Sequence, residues 1–281
     1  MAAGNRRGAH VSTRGGYLAA AQRAYALGCG SFQYFPKNPR SLGVKSFDRS
    51  DAARCLEFCR EKGIASIAHS PYPCNLASPS AEVRERTALS LLNDLDIAES
   101  CGSLGVVVHF GVYKEGDPLE GYRLMIATLD SITERWQGSC RLLIENQAGN
   151  HGFMGMTLEE LVQIRSLCRE PDKLGFCLDS CHLFASGVWD GSPSPAWASS
   201  PAGQAAKDHV LALHVNGSVY ASGSRRDRHA RLGEGELGMA GIAWLLEHFP
   251  GVPAVLETAS DADGTHLQQL RRMLEEEEKL G

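Results

Sequence analysis

Gly105-Val-Val-Val-His109 is a short apolar run closed by an imidazole, and five other stretches of the chain repeat its plan. Ala65–Ala68 ends at His69, Arg141–Ile144 at Glu145, Gly175–Leu178 at Asp179, Leu211–Leu213 at His214 and Pro253–Leu256 at Glu257. The closing polar residues stand 40, 36, 34, 35 and 43 positions apart, room for one strand and one helix per repeat. Apolar runs of this kind suit parallel strands buried on both faces. Two further strands are predicted upstream, Gly30–Phe35 and a weaker one near Gly8–Ser12, whose approach through Asn5, Arg6 and Arg7 is unusually polar. Eight strands close a barrel, and the reading is an α/β fold, a (β/α)8 TIM barrel forming a single domain over residues 1–281.

The intervening segments read as helices. Tyr17–Leu27 stops at Gly28, and Glu82–Ser100 carries apolar residues at helical spacing. Thr157 and Glu160 form a capping box that opens a helix running to Cys168. Leu267–Leu280 closes the chain, with Glu275–Glu278 as a solvated face. The stretch Gly187–Gly203, rich in Ser, Pro, Ala and Trp, reads as a loop insertion, either a lid or a surface excursion.

No stretch approaches 18 consecutive apolar residues, so no membrane span is expected, and the polar start Met1–Arg7 lacks an apolar signal core. The expectation is a cytoplasmic monomer. Nine cysteines without a Cys-x2-Cys pair read as reduced thiols. Cys177 and Cys181 flank Asp179, but harder ligands stand beside them. The formal charge of −5 argues against a nucleic-acid partner unless the acids hold metal; the six charges of three divalent ions would turn it into +1 at one place.

In such a barrel the active site lies where strands end. His69, His109, Glu145, Asp179, His214 and Glu257 therefore converge on one mouth. Carboxylates packed so closely repel one another, and divalent cations resolve the conflict. His182 follows Asp179 by one short turn, and Asp227 and His229 share one side of an extended segment. Nine mixed nitrogen and oxygen ligands suit zinc, with manganese as a substitute, and are too many for one ion. The isolated His10, His151, His209, His248 and His266 read as structural.

With these residues in hand, the chain resembles the endonuclease IV family of apurinic/apyrimidinic endonucleases, nearly end to end from Gly8-Ala-His-Val-Ser12 to Leu256-Glu-Thr258. Its most specific motifs are Glu145-Asn146 with Ala148-Gly149, Cys177-Leu-Asp-Ser-Cys-His182, Asp227-Arg-His229 and Leu232-Gly-Glu-Gly-Glu-Leu-Gly238. The resemblance implies about three zinc ions per chain. His69 and His109 would ligate the first, Glu145 would bridge it to a second held by Asp179, His214 and Glu257, and His182, Asp227 and His229 would hold the third. It also implies cleavage of double-stranded DNA 5′ to an abasic site, leaving a 3′-hydroxyl and a 5′-deoxyribose phosphate, through a metal-bridging hydroxide. Glu145 and Glu257 would be catalytic, with Glu257 orienting the nucleophile, and the third zinc would stabilise the leaving oxygen. At the rim, Arg40 and Tyr72 resemble residues that wedge into the DNA stack, and Asn38, Asn75 and Arg228 would contact DNA, with Asn75, Asn216 and Arg228 alternatively supporting the site.

Besides the polar start of its first strand, the sequence departs from the family pattern in three places. Gly217 stands where Asp follows the His-x-Asn of strand seven, Phe110 replaces a proline, and Ser41–Lys45 lacks the usual polar and aromatic residues. The Gly217 change is expected to loosen support for the site or a DNA contact. The rival enzyme reading is a metal-dependent sugar isomerase or epimerase of the xylose isomerase-like type, for which Glu145, Asp179, His214 and Glu257 would suffice. A non-catalytic binder of damaged DNA is the other rival.

Overall fold

A computed structural model describes residues 6–258, 268–270 and 272–273. Eight parallel strands close into a barrel: β1 (Arg7–His10), β2 (Ser31–Tyr34), β3 (Ala65–His69), β4 (Gly105–His109), β5 (Arg141–Glu145), β6 (Leu174–Asp179), β7 (Val210–His214) and β10 (Ala254–Leu256). The two-residue strands β8 (Gly217–Ser218) and β9 (His229–Ala230) form an antiparallel pair beyond β7. Strand β1 pairs with both β2 and β10, which completes the closure. All eight strands expected from the sequence are present.

Helices α1 (Tyr17–Ala26), α2 (Arg49–Lys62), α3 (Ala81–Cys101), α4 (Pro118–Arg135) and α5 (Leu158–Leu167) follow the first five strands. Their ends carry the local signals that set them. Asp48 caps α2 through the Ser50 and Asp51 amides, and the Thr157–Glu160 capping box opens α5. After α1 the chain turns at Gly28 with φ +78°, a conformation that costs a side chain but not glycine.

The stretch Gly187–Gly203 is without helix or strand over 187–195, as expected of a loop, but it is neither a lid nor a mere surface excursion. Short α6 (Ser180–Ser186) follows β6, and the stretch then holds α7 (Ala196–Ser199) and the start of α8 (Pro201–Lys207). Trp189 and Trp197 are buried against Trp244 of α9 (Met239–His248), with ring centroids 6.4 and 5.6 Å apart. Two tryptophans bury too much apolar area for a segment that must swing open, so it is part of the packed shell. The closing helix expected over Leu267–Leu280 lies mostly outside the described residues, of which 268–270 and 272–273 are helical. Among the described residues no helix is long and apolar enough to cross a membrane.

Two layers make the core. Ile67, Val107, Leu143, Cys177, Ala212 and Val255 pack together, one from each of β3 to β7 and β10. The larger cluster lies between the strands and the helices. Side chains alternate along a strand, so residues two positions after each of the six point the same way. Those positions are 69, 109, 145, 179, 214 and 257. The strand registers extend the parity to the first two strands, where His10 pairs with Gln33 and Gln33 with Ile67. One inward ring of eight polar residues therefore floors the mouth, one per strand, above an apolar plug.

Lys37, in the loop after β2, is buried rather than displayed. Its ammonium donates to the Ser90 carbonyl (2.6 Å) and pairs with Asp94 Oδ1 (3.0 Å), both on α3. Burial raises the Asp94 carboxyl to about 7, although Lys37 opposes the rise. This clasp ties the loop bearing Asn38 and Arg40 to α3. Lys37→Met leaves a buried acid without its cation, which costs about 3 kcal/mol or more when the acid is ionised. Below the folded pKa the carboxyl is protonated and the loss is smaller. Urea unfolding should therefore show a deficit that grows from pH 5 to pH 8; an equal deficit at both would refute the pairing.

Candidate metal centre

The nine side chains singled out in the sequence meet in one cup. Six come from strand ends, with Glu257 one residue past β10. His182 sits in the first turn of α6, held there because Asp179 Oδ1 caps that helix by accepting the His182 amide at 2.8 Å. The β8–β9 pair folds the chain back over the mouth, so Asp227 and His229 reach it from 45 positions or more beyond His182.

Among the described residues, the ligand-type atoms of these nine side chains form three sets, each within 4.8 Å internally: His69, His109 and Glu145; Glu145, Asp179, His214 and Glu257; and His182, Asp227 and His229, while a fourth group, Asp179, Cys181 and His229, overlaps the last two. Glu145 belongs to two sets. Its Oε1 lies 2.8 Å from His214 Nδ1, and its Oε2 lies 3.4 and 3.7 Å from the Nε2 atoms of His109 and His69. Burial alone would raise its pKa, but the His214 imidazole, with His69 and His109, outweighs burial and holds the carboxyl well below the ordinary range. Glu257 is lowered to about 2 by the same balance, burial against His214. Asp179 moves the other way, raised by burial beyond what His182 and His229 recover.

Outside the cup, the buried imidazoles are anchored at their second nitrogen. His69 Nδ1 donates to the Ser70 carbonyl at 2.8 Å and His182 Nδ1 to the Asn146 carbonyl at 2.9 Å, which turns each Nε2 inward. Such outer bonds orient imidazole ligands of metals. Among the described residues, Glu145 Oε2 and His229 Nε2 are buried and find no hydrogen-bond partner. Buried polar atoms without a partner are costly, and a cation would satisfy both. The donor set, its orientation and these two atoms all fit bound divalent metal.

Asparagines brace the carboxylates. Asn216 Nδ2 donates to Asp179 Oδ2 (2.7 Å) and Glu257 Oε2 (3.2 Å), while Asn146 Oδ1 accepts the Asp179 amide (2.8 Å). Asn216 is fully buried, so of the two roles expected for it the structure shows support. Gly217 does not loosen this region: a Cβ there would lie 2.9–3.1 Å from the carbonyl oxygens of Arg231, Ala230 and Glu234, so the backbone itself fills the space of a side chain. Phe110 is buried, edge-on to Tyr122 at 6.1 Å.

Two adjoining clefts, of about 210 and 260 Å³, open over the ring and share Tyr72, His109, His182 and Asp227. On the rim, Arg40 and Asn38 are exposed, with Asn38 Oδ1 accepting the Arg40 amide. Tyr72 is 59% exposed and packs edge-on against Phe35. Asn75 spends its carboxamide on both backbone groups of Val112, clasping two loops at the cleft edge. Arg228 is exposed, one residue from His229.

Sequence reading missed three residues here. His10, read as structural, lines the cup beside Phe35 and Glu257. Gln33 lies in the floor and bonds His214 and Glu257. The sulfur of Cys181 falls within reach of Asp179 and His229, whereas Cys177 belongs to the plug. The alternation that selects the other six strand ends also selects His10 and Gln33, and applying it to β1 and β2 would have found them.

A family model for xylose isomerase-like TIM barrels matches residues 21–277. The chain is 41% identical to the probable endonuclease 4 of Symbiobacterium thermophilum over 258 residues, 89% of this chain and 92% of that protein. The chain belongs to the endonuclease IV family. The crystal structure of endonuclease IV from Thermus thermophilus superposes with a TM-score of 0.82 at 30% identity, covering 96% of this chain and 99% of that one. In this metal-dependent nuclease family the three sets are candidate metal positions. A D-tagatose 3-epimerase-like protein also superposes, with a TM-score of 0.71 at 19% identity and coverage of 98% and 100%, and shows the shared barrel alone.

Proposed function

We propose that this chain is a zinc-dependent DNA-repair endonuclease that hydrolyses the phosphodiester 5′ to an abasic site, leaving a 3′-hydroxyl and a 5′-deoxyribose phosphate. The observation that carries the reading is the grouping of nine imidazole and carboxyl side chains into three sets around one open cup. One sugar isomerase-type metal position would need only the four residues of the second set, and the other two sets would have no task.

When bound, zinc lowers the pKa of water toward about 7 and neutralises charge on a phosphate ester. The chain's own residues do the rest. Glu145, shared by two sets, fixes their spacing. Glu257, braced by Asn216 and Gln33, presents its carboxylate to the floor, where it can orient an attacking water. His182, Asp227 and His229 stand on the side of the cup formed by α6 and the β8–β9 pair, where they would hold a metal ion that neutralises charge on the leaving oxygen. Arg40 and Tyr72 project from the loops after β2 and β3, where side chains could wedge into a stack and compensate unstacking of a flipped-out residue. Asn38, Asn75 and Arg228 line the same rim as candidate DNA contacts.

The test is incision of a labelled duplex with one abasic site, with and without a strong chelator. The expected result is a single cut 5′ to the lesion, bearing a 3′-hydroxyl, abolished by chelation and restored by zinc. A chelator-resistant cut, or one 3′ to the lesion by elimination, would reject the reading.

A further inference from the structure

Gln33 has no place among the three sets, yet it lies in the same ring and is fully buried. Every polar atom of its carboxamide is engaged. Oε1 accepts from His214 Nε2 at 2.7 Å, and Nε2 donates to Glu257 Oε1 at 2.7 Å and to His10 Nδ1 at 3.2 Å. The amide can sit only this way round, because the reverse would press its oxygen against the Glu257 carboxylate.

This orientation dictates the chemistry of His214. An imidazole that holds a metal carries one N–H, and Gln33 Oε1, which can only accept, places it on Nε2. Nδ1, which here donates to Glu145 Oε1 at 2.8 Å and lies 3.2 Å from Glu257 Oε2 and 3.9 Å from Asp179 Oδ2, is then the nitrogen left to give its lone pair to a metal in the second set. His69 and His182 are held in the opposite tautomer by backbone carbonyls, which no substitution removes. His214 alone among these three presents Nδ1, and its anchor is a side chain. The same amide also ties down one oxygen of Glu257, leaving Oε2 directed at the second set.

Resting on the metal-centre reading above, we infer that Gln33 is a positioning residue that sets the tautomer of His214 and the pose of Glu257, and thereby the affinity of the second set for its metal. Outer partners of metal-bound histidines typically change affinity about 10–100-fold.

The experiment compares wild type with Gln33→Met, which keeps the length and loses both donor and acceptor. Zinc affinity is measured by chelator competition, and the His214 ring by ¹⁵N shifts in the zinc-loaded chain. The expected result is one zinc bound about 10–100-fold more weakly, loss of the single Nε2–H tautomer, and a drop in melting temperature that is larger for the zinc-loaded than for the metal-stripped protein. A merely structural role would instead lower stripped and loaded melting temperatures alike and leave affinity alone, which overturns the inference. Gln33→Glu serves as the second variant: it keeps an acceptor for His214 Nε2–H but sets an oxygen against Glu257 Oε1, so it should keep the tautomer while still weakening zinc, and a scrambled tautomer there also overturns the inference. Wild type that takes up no zinc sinks the metal-centre reading itself. Wild type that loads, with Gln33→Met loading as tightly, sinks this inference alone.

Discussion

Glu145→Gln is expected to lower incision of an abasic-site duplex by on the order of 1000-fold or more while the barrel stays folded. Losing an outer-sphere partner of a metal costs about 10–100-fold, and Glu145 stands closer in, shared between two sets. The amide matches the carboxylate in volume, so the plug beneath is undisturbed. It cannot supply the negative charge that His69, His109 and His214 face. The third set, His182 with Asp227 and His229, does not include Glu145. Metal content should therefore fall toward one ion per chain rather than to none. Near-normal turnover by a metal-loaded Glu145→Gln protein would remove Glu145 from the centre of the scheme.

Stripping metal should also lower the melting temperature by about 10 °C or more. A ligand present at 1,000 times its dissociation constant stabilises the native state by about 4.1 kcal/mol per site, and for a domain of this size each kcal/mol moves the midpoint by roughly 2–4 °C. The physical source is the crowding of Glu145, Asp179 and Glu257 in a buried floor, where His214 and the uncharged amides of Asn216 and Gln33 stand between them. Zinc should restore the midpoint, and calcium, which prefers six to eight oxygen ligands, should not. A melting curve indifferent to both chelator and zinc would leave the three sets without metal and the nine residues without a common purpose.

The barrel was legible in the sequence because its signal is local and repeated. Each of six strands announces itself as an apolar run with a polar end, and alternation along a strand places that end on the inner face whatever the neighbours do. The closed order of β1 to β7 and β10 then follows from eight such units. The three departures were equally visible, but their consequences were not. Gly217 was expected to weaken the site, yet three carbonyls of the returning chain occupy the space a side chain would need. Nothing within two or three residues of Gly217 in sequence reveals that.

Lys37 shows the same limit. Nothing beside it in the sequence reveals that its ammonium is buried against α3, more than fifty positions away. The tryptophans of Gly187–Gly203 read as part of a lid or a surface excursion until Trp244 is placed beneath them.

What the amino-acid order determined by itself was the period of the fold and which residue closes each strand, since pleat and helix repeat depend only on near neighbours. The tertiary structure decided how those residues are grouped: that Glu145 serves two sets, that the β8–β9 pair carries Asp227 and His229 back over the mouth, and that Gln33 locks His214. Those relations join strands on different parts of the barrel wall, and a distance across a closed sheet has no counterpart in local spacing.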